Sequence, residues 1–490
     1  MAPLYILALV GLYFLVLIGI SYLTGRRSDN ATFFLANRRS PWYVVAFGMV
    51  GASLSGVTFI SVPGWTEASQ FSYLQVVLGY VAGYLVIIKV LLPLYYRLEL
   101  TSIYSYLEER FGPVSYRTGA LFFMLSRIIG AAFRLYLVAL VLHLAVFEPL
   151  NWPFWSTVAL TILLIWVYTF RSGLKTIIWT DTLQTTFMLL AVIITIVYIQ
   201  QQLLPQGDLL GYIAQQPSSQ IFFWDSWRSE QYFWKNFLSG AFITIVMTGL
   251  DQDMMQKNLS CRNLKDAQKN MFSLSLVLVV VNLIFLSLGV LLYDYAARKG
   301  IAFDSPDALF PAVALSGELG QTVIVFFVLG LIAAAYSSAD SALTSLTTSF
   351  SIDILGLEAE GGTRGFGGLS AKSTRVLVHA SFSLLLLGVI LVFRQLNDDS
   401  VIKELFTAAG YTYGPLLGLY AFGLFTRWPV RDALVPLVAV IAPLLSFIVK
   451  QNAPQWFGYT MSFEHLILNG LLTFLGLWLL RQKGTPETPH

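Results

Sequence analysis

Residues 330–352, GLIAAAYSSADSALTSLTTSFSI, combine the length of a membrane-spanning helix with many hydroxyl side chains and one carboxylate. A helix rises about 1.5 Å per residue, so about 20 residues cross the hydrocarbon core of a bilayer. Hydrocarbon offers no hydrogen-bond partner to serine, threonine or aspartate. The polar side of this helix must therefore face protein, water or an ion.

One stripe of this segment carries oxygen atoms that could hold a cation. Ala334, Ser337, Ser338 and Ser341 follow one another at i, i+3, i+4 and i+7, which places them on one helix face. Asp340 lies at the edge of the stripe. Hydroxyl, carbonyl and carboxylate oxygens are the ligands that small hard cations prefer. Close packing of small residues is the alternative explanation, although packing does not require the aspartate.

Residues 47–65, FGMVGASLSGVTFISVPGW, contain glycines and a proline that weaken a helix in mid-membrane. A break here would free backbone carbonyls and point half-helix ends into the bundle, as in transporter sites at the membrane midplane. Ser53, Ser55 and Thr58 would then be available to a polar solute. A tightly packed glycine-rich helix is the alternative. A second break is predicted at Gly249, within MTGLDQDMMQKNL.

Further charged residues lie in predicted spans. Asp181 is at a depth comparable to that of Asp340, and two carboxylates there require a cation, a proton or an arginine. Arg127 and Arg134 are seven residues apart and therefore share a helix face. A buried arginine needs an anion, which is either an acidic side chain or the carboxylate of a solute. The sequence leaves both options open.

The composition identifies a polytopic membrane protein. The 490 residues are 56% hydrophobic and only 12% charged, with a mean hydropathy of +0.69. The net charge of +3 is too small to indicate a nucleic-acid partner, and the single cysteine, Cys261, excludes an internal disulfide. No GxxxxGK[ST] phosphate loop is present, and the four histidines lie near helix ends or the tail. We therefore expect neither an ATP-driven pump nor an enzyme.

Thirteen apolar runs of membrane-spanning length are predicted. They cover residues 3–24, 42–66, 72–97, 117–147, 154–171, 176–203, 232–255, 270–296, 321–350, 374–394, 402–426, 429–450 and 461–481. Alternate loops are rich in lysine and arginine, including Arg26, Arg27, Arg171 and Arg364. Because such loops face the cytoplasm, we expect the N-terminus outside and the C-terminus inside.

The chain resembles the sodium/solute symporter family, which includes sodium–glucose, sodium–proline and bacterial sialic acid transporters. The resemblance extends over nearly the whole chain, and the segments that carry it are SLSGVTFISVPG, TSIYSYLEERFG, TIIWTDTLQ, DQDMMQKNL and AAAYSSADSALTSLTTSFSIDI. It implies an all-α fold of leucine-transporter type, with a five-plus-five inverted repeat, one extra helix before it and two after it. The implied organisation is an N-terminal helix and inner loop at 1–40, a first repeat at 41–203, an external loop at 204–231, a second repeat at 232–427 and two C-terminal helices at 428–490.

The resemblance also implies binding residues. A first sodium site would use the carbonyls of Gly51, Leu54 and Ala334 and the hydroxyls of Ser337 and Ser338. A second cation site would use Asp181, Ser337, Asp340 and Ser341, although Asp340 stands where the sialic acid transporter has a serine. The arginine that holds the sialic acid carboxylate aligns near Gly130, one turn from either arginine of this chain, so sialic acid itself is not carried over. The solute contacts that we predict are Ser53, Ser55, Thr58, Gln75, Arg127, Arg134 and Thr407.

These observations predict a sodium-coupled symporter that imports a small polar solute by alternating access. A carboxylate-bearing solute (sialic acid-like, a monocarboxylate or an amino acid) is favoured, and a sugar symporter, a proton-coupled symporter and a non-transporting sensor are the alternatives. We expect one or two sodium ions, a small-molecule solute and membrane lipid as partners, and neither nucleic acid nor an obligatory protein partner. The expected location is the bacterial inner membrane.

Overall fold

The computed structural model describes residues 3–24, 36–169, 174–204, 207–357, 369–396 and 401–482. Arg26, Arg27, Arg171 and Arg364, on which the predicted orientation partly rests, lie outside these ranges. Within them the chain is helical and forms no β-strand, apart from isolated bridges between Ser40 and Cys261 and between Val430 and Arg481.

Seventeen helices are numbered here in chain order. The first nine are α1 (Pro3–Thr24), α2 (Trp42–Ser69), α3 (Ser72–Arg97), α4 (Ser105–Arg110), α5 (Pro113–Leu142), α6 (Phe154–Thr169), α7 (Leu174–Leu203), α8 (Leu209–Gln215) and α9 (Phe233–Thr244). The remaining eight are α10 (Gln252–Leu259), α11 (Leu264–Lys299), α12 (Leu309–Leu315), α13 (Gln321–Ser349), α14 (Ala371–Leu396), α15 (Val401–Phe425), α16 (Val435–Phe457) and α17 (His465–Leu479). Single 3₁₀ turns lie at Ala36–Arg38, Glu148–Leu150, Pro217–Ser219, Pro306–Ala308 and Asp432–Leu434.

Each of the thirteen predicted spans forms a helix or a pair of helices in the described residues. By length and apolar composition, nine described helices could cross a membrane, or ten if the bent pair α9 and α10 is one span. Helices α6 and α17 are apolar but shorter. The structure therefore confirms a helical membrane protein, while the count of thirteen crossings and the inverted repeat stay predictions.

Helix α2 is interrupted in its middle, as the glycine-rich sequence predicts. Ser55 has φ 50° and ψ 173°, a conformation outside the helical region. Gly56 follows, and a Cβ placed there would lie 2.8 Å from Val138 Cγ2 and 3.2 Å from the carbonyl oxygen of Arg134 on α5. The absent side chain thus lets the interruption in α2 lie directly against α5.

A second interruption separates α9 from α10, close to the predicted position. A π-turn at Ile245–Gly249 ends α9, and α10 starts with its axis bent by 64°. Asp251 is the N-cap of α10, and its Oδ1 accepts hydrogen bonds from the backbone N–H groups of Asp253 and Met254 at 3.0 and 3.2 Å. This carboxylate satisfies two of the N–H groups that the break leaves without helical partners.

The two interrupted segments lie in the centre of the helix bundle. Helix α13 packs against α7 and α2, and α11 also packs against α2. Helix α15 packs against α5 and α17. Because α2, α7 and α13 contact one another, the hydroxyl-rich face of α13 is directed into protein and not toward lipid.

Candidate solute and cation sites

A cavity of about 90 Å³ lies beside both helix interruptions. We call it the central cavity. Its lining includes five of the seven predicted solute contacts, namely Ser53, Ser55, Thr58, Arg127 and Arg134. Helix α9 and its π-turn contribute Thr244, Met247 and Thr248, and the aromatic residues in the lining are Tyr73, Tyr80, Tyr84 and Phe406. The cavity is therefore apolar over much of its wall, with hydroxyl and guanidinium groups at defined places.

Arg127 is neutralised by acidic side chains of the second interruption. Its Nη2 forms a short ion pair with Asp253 Oδ2, and its Nη1 lies 3.9 Å from Asp251 Oδ2. All three side chains are buried. The structure thus favours, for this arginine, the acidic partner over a solute carboxylate, and Arg127 holds α5 against the start of α10.

Arg134 has no such partner. Its side chain is only 8% exposed, yet its guanidinium group makes no hydrogen bond or ion pair to any residue in the described part of the chain, and its Nε is buried without an acceptor. It lines the central cavity two turns of α5 away from Arg127. A buried guanidinium with unused donors is suited to receive an anionic group from a ligand.

Aromatic rings bound one side of the central cavity, which we call the aromatic side. The rings of Tyr73 and Phe406 stack with centroids 6.3 Å apart, and Phe406 also meets Phe463 at 5.1 Å. Beyond them lies a wider cavity of about 400 Å³, whose lining includes Tyr73 and Phe463. These three residues, Tyr73, Phe406 and Phe463, form an uncharged aromatic layer that separates the two cavities.

The two remaining predicted solute contacts lie outside the central cavity. Thr407 lines the wider cavity beyond the aromatic layer. Gln75 is fully buried, and its Nε2 donates to the carbonyl of Gln231 at 3.0 Å. Both residues follow cavity-lining residues in sequence, but Thr407 projects beyond Phe406, and Gln75 projects toward the 207–232 segment.

Tyrosine hydroxyls close the opposite side, which we call the ion-paired side. Tyr95 donates to the carbonyl of Gly249 at 2.9 Å, and Tyr104 donates to the carbonyl of Leu250 at 3.0 Å. Tyr413 donates to Asp251 Oδ2 at 2.5 Å. Together with Arg127, these groups satisfy the polar atoms that the break exposes.

The predicted first sodium site lies where α13 meets α2. Ser337 and Ser338 are at most 1% exposed, and Leu54 and Ala334 are buried with them. Ser337 Oγ donates to Asp181 Oδ1 at 2.8 Å, whereas Ser338 Oγ is buried without a hydrogen-bond partner. A buried hydroxyl oxygen without a partner is an available ligand, and the set offers only hard oxygen donors. The residues therefore fit a sodium ion.

The predicted second cation site already contains a positive charge from the protein itself. Lys257 Nζ donates to Asp181 Oδ2 and to Ser341 Oγ, each at 2.8 Å. Asp340 Oδ1 accepts a hydrogen bond from the N–H of Ser341 at 2.6 Å. From the sequence alone, Lys257 belongs with Arg262, Lys265 and Lys269 to a basic inner loop, and the partners expected beside Asp181 are a cation, a proton or an arginine. The nearby break at Gly249, followed by a short helix, was the signal that this lysine could fold back into the bundle.

A helical membrane bundle with two interrupted helices around a partly polar cavity is typical of a secondary transporter. The model of the Sodium:solute symporter family matches residues 33–430, and the chain belongs to this family.

Curated relatives are similar over most of the chain. The sodium/sialic acid symporter NanT of Aliivibrio fischeri is 25% identical over 86% of this chain and 83% of its own length. The human sodium-coupled monocarboxylate transporter 1 is 25% identical over 89% of this chain and 69% of its own length. A solved structure of a substrate-bound, outward-open Na⁺-coupled sialic acid symporter has a TM-score of 0.80 at 20% identity and covers 97% of both chains. At that identity the structural likeness shows the fold alone.

Proposed function

We propose that this protein is a sodium-coupled symporter that imports a small carboxylate-bearing solute by alternating access. The observation that carries the choice of solute is Arg134, a buried guanidinium in the central cavity with no acidic partner among the described residues. A carboxylate would accept two parallel hydrogen bonds from it and neutralise its charge. A neutral sugar would satisfy the donors but would leave the buried charge uncompensated.

The central cavity has room for a small solute. Its volume of about 90 Å³ is several times the roughly 10–15 Å³ that one water molecule needs on the same measure. Among the relatives, the names of both a sialic acid symporter and a monocarboxylate transporter denote carboxylate solutes.

Sodium would act by joining two helices. Bound by the carbonyls of Gly51, Leu54 and Ala334 and by the hydroxyls of Ser337 and Ser338, the ion would bridge the broken helix α2 to α13. Because Ser53 and Ser55 flank the α2 ligand Leu54, ordering this segment would also order the solute contacts. The ion and the solute would thus each favour the conformation that binds the other.

The aromatic side would face outward and the ion-paired side the cytoplasm of a bacterial inner membrane. The connection between α10 and α11 carries Arg262, and Lys265 and Lys269 follow in the first turns of α11. Lysine and arginine concentrate in cytoplasmic loops. In this arrangement, the solute would enter by displacing the aromatic layer and leave when α10 separates from α5.

The solute assignment is tested by sodium-driven uptake into proteoliposomes with a panel of carboxylates and their methyl esters. We expect transport of a small carboxylate and none of its ester. Arg134→Gln should weaken binding of that carboxylate by about 100-fold or more, since it removes a charge-assisted pair. Equal uptake of acid and ester, or full affinity in Arg134→Gln, would disprove the carboxylate role.

The ion assignment is tested with Ser338→Ala, which removes the unpaired hydroxyl. We expect loss of sodium-stimulated uptake and of the sodium-dependent rise in melting temperature. Ser345→Ala is the matched control, because Ser345 Oγ is buried on the same helix and donates to the carbonyl of Ala342 at 3.1 Å. Normal sodium stimulation in Ser338→Ala would refute the assignment.

A further inference from the structure

Lys257 lies among the oxygen atoms that would otherwise bind a second cation. Its ammonium is 2.8 Å from Asp181 Oδ2 and 2.8 Å from Ser341 Oγ. Asp181 Oδ1, on the other side of the same carboxylate, accepts the hydroxyl of Ser337 at 2.8 Å. The lysine and the aspartate are each about 1% exposed. The ammonium thus contacts α7 and α13 from α10.

These residues do not fit a second sodium ion while the lysine is present. A sodium ion bound to Asp181 and Ser341 would have to occupy nearly the same space as Nζ, because both oxygens are already within hydrogen-bond distance of that atom. Two positive charges at contact distance in a buried site would also repel strongly. Asp253 and Asp340 additionally attract the Lys257 ammonium, which further favours its present position.

Lys257 lies on a helix that is buried along its whole length. Every residue of α10, from Gln252 to Leu259, is buried. Lys257 follows Asp253 by one turn, and Asp253 is held by Arg127. Withdrawal of the ammonium therefore requires α10 to move as a unit, which is the movement that would open the ion-paired side.

We propose that the ammonium of Lys257 is a tethered counter-ion that fills the second cation site, so that this protein binds a single sodium ion in each transport cycle. The proposal rests on the proposed function, since it assumes that the site at Ser337 and Ser338 takes sodium. Lys257 acts here as a positioning residue: it neutralises Asp181, joins α10 to α7 and α13, and leaves sodium binding to the first site.

The test counts sodium ions on the purified full-length protein by equilibrium binding of ²²Na⁺, without solute. We expect one ion per chain, with a Hill coefficient of about 1. Lys257→Gln removes the charge but retains a polar side chain, so Asp181 should then recruit an ion from solution. For this variant we expect a second bound ion and a Hill coefficient that rises toward about 2. Lys257→Arg retains the charge and should still bind one ion.

Two bound ions in the unaltered protein would overturn the proposal, and that count does not depend on whether any variant folds. A Lys257→Gln protein that melts cooperatively but still binds one ion would overturn it as well. A merely structural role of Lys257 would lower stability without changing the number of ions. Absence of saturable sodium binding in the unaltered protein would be a different result, because it would defeat the proposed function and this inference together.

Discussion

Arg127 and Arg134 lie on the same face of α5, two turns apart, and both are buried, yet their surroundings differ completely. Arg127 faces the ion-paired side, where Asp253 and Asp251 neutralise it. Arg134 faces the central cavity and has no acidic partner among the described residues. A buried charge is costly unless it is paired. The first arginine thus joins α5 to the start of α10, and the second keeps unused donors in the central cavity.

The same contrast holds for the two ends of the central cavity. The ion-paired side is closed by tyrosine hydroxyls, carboxylates and a guanidinium with fixed geometry. The aromatic side is closed by ring contacts of Tyr73, Phe406 and Phe463, and the described polar bonds of these side chains include only the neutral one between the hydroxyls of Tyr73 and Tyr80. Opening the aromatic side should therefore require less free energy than opening the ion-paired side.

The largest effect is expected from Arg127→Ala. This change leaves Asp251 and Asp253 buried with their charges uncompensated, and breaking a buried pair in this way costs about 3–5 kcal/mol of stability. The melting temperature of the purified protein in detergent measures the loss. Combining Arg127→Met with Asp253→Asn should restore much of it, and an unchanged melting temperature in Arg127→Ala would show that the ion pair is not formed.

Tyr413→Phe should have an intermediate effect. It deprives Asp251 of a buried hydroxyl donor, which costs about 1–3 kcal/mol. Tyr411→Phe is the matched control: Tyr411 lies two residues away, packs against Phe447 and His465, and makes no hydroxyl hydrogen bond in the part of the chain that is described. Equal melting temperatures of the two variants would argue against a stabilising hydrogen bond from Tyr413 to Asp251.

Arg134→Leu should behave in the opposite way to Arg127→Ala. Since the guanidinium has no partner, its removal should leave stability unchanged or raise it by about 1 kcal/mol. Thermal melting in the absence of solute is the measurement. A loss of stability comparable to that of Arg127→Ala would mean that Arg134 is paired after all, and the two arginines would no longer differ in kind.

The smallest effect concerns access through the aromatic layer. Cys261 is buried, so a cysteine placed at Thr58 in the central cavity would be the accessible thiol. Phe406→Ala should increase its labelling by a charged thiol reagent several-fold, because one ring of the layer is missing. Ser345 is buried on α13 and does not line the cavity. The control variant Ser345→Cys should therefore stay unlabelled both with and without Phe406→Ala. An unchanged rate at Thr58→Cys would show that the rings do not limit access.

Local sequence patterns were sufficient for the helices and for much of the central cavity. Apolar runs predicted the helical segments because a bilayer accepts only chains that satisfy their own backbone hydrogen bonds. The interruption at Ser55 followed from the glycines around it, and the oxygen stripe at Ser337 and Ser338 followed from helical spacing. Five of the seven predicted solute contacts line the central cavity, since they lie on α2 and α5 near that interruption.

Long-range pairing could not be predicted in the same way. Arg127 and Asp253 are 126 residues apart, and Lys257 and Asp181 are 76 apart. Only the packing of α5, α7, α10 and α13 decides which charges meet. Sequence spacing alone does not distinguish Arg127 from Arg134. The residues next to Lys257 likewise do not distinguish it from a lysine in a loop. Gln75 and Thr407 lie outside the central cavity for the same reason, because the direction of a side chain depends on which helix packs against its own.

The sequence by itself determined that this chain is a bundle of membrane helices with a polar, breakable centre, because hydropathy and helix periodicity are local properties. The tertiary structure decided which arginine is free, which lysine is buried and which side of the cavity is held by ion pairs. Those outcomes depend on contacts between helices far apart in the chain, where the cost of an unpaired buried charge selects the partners.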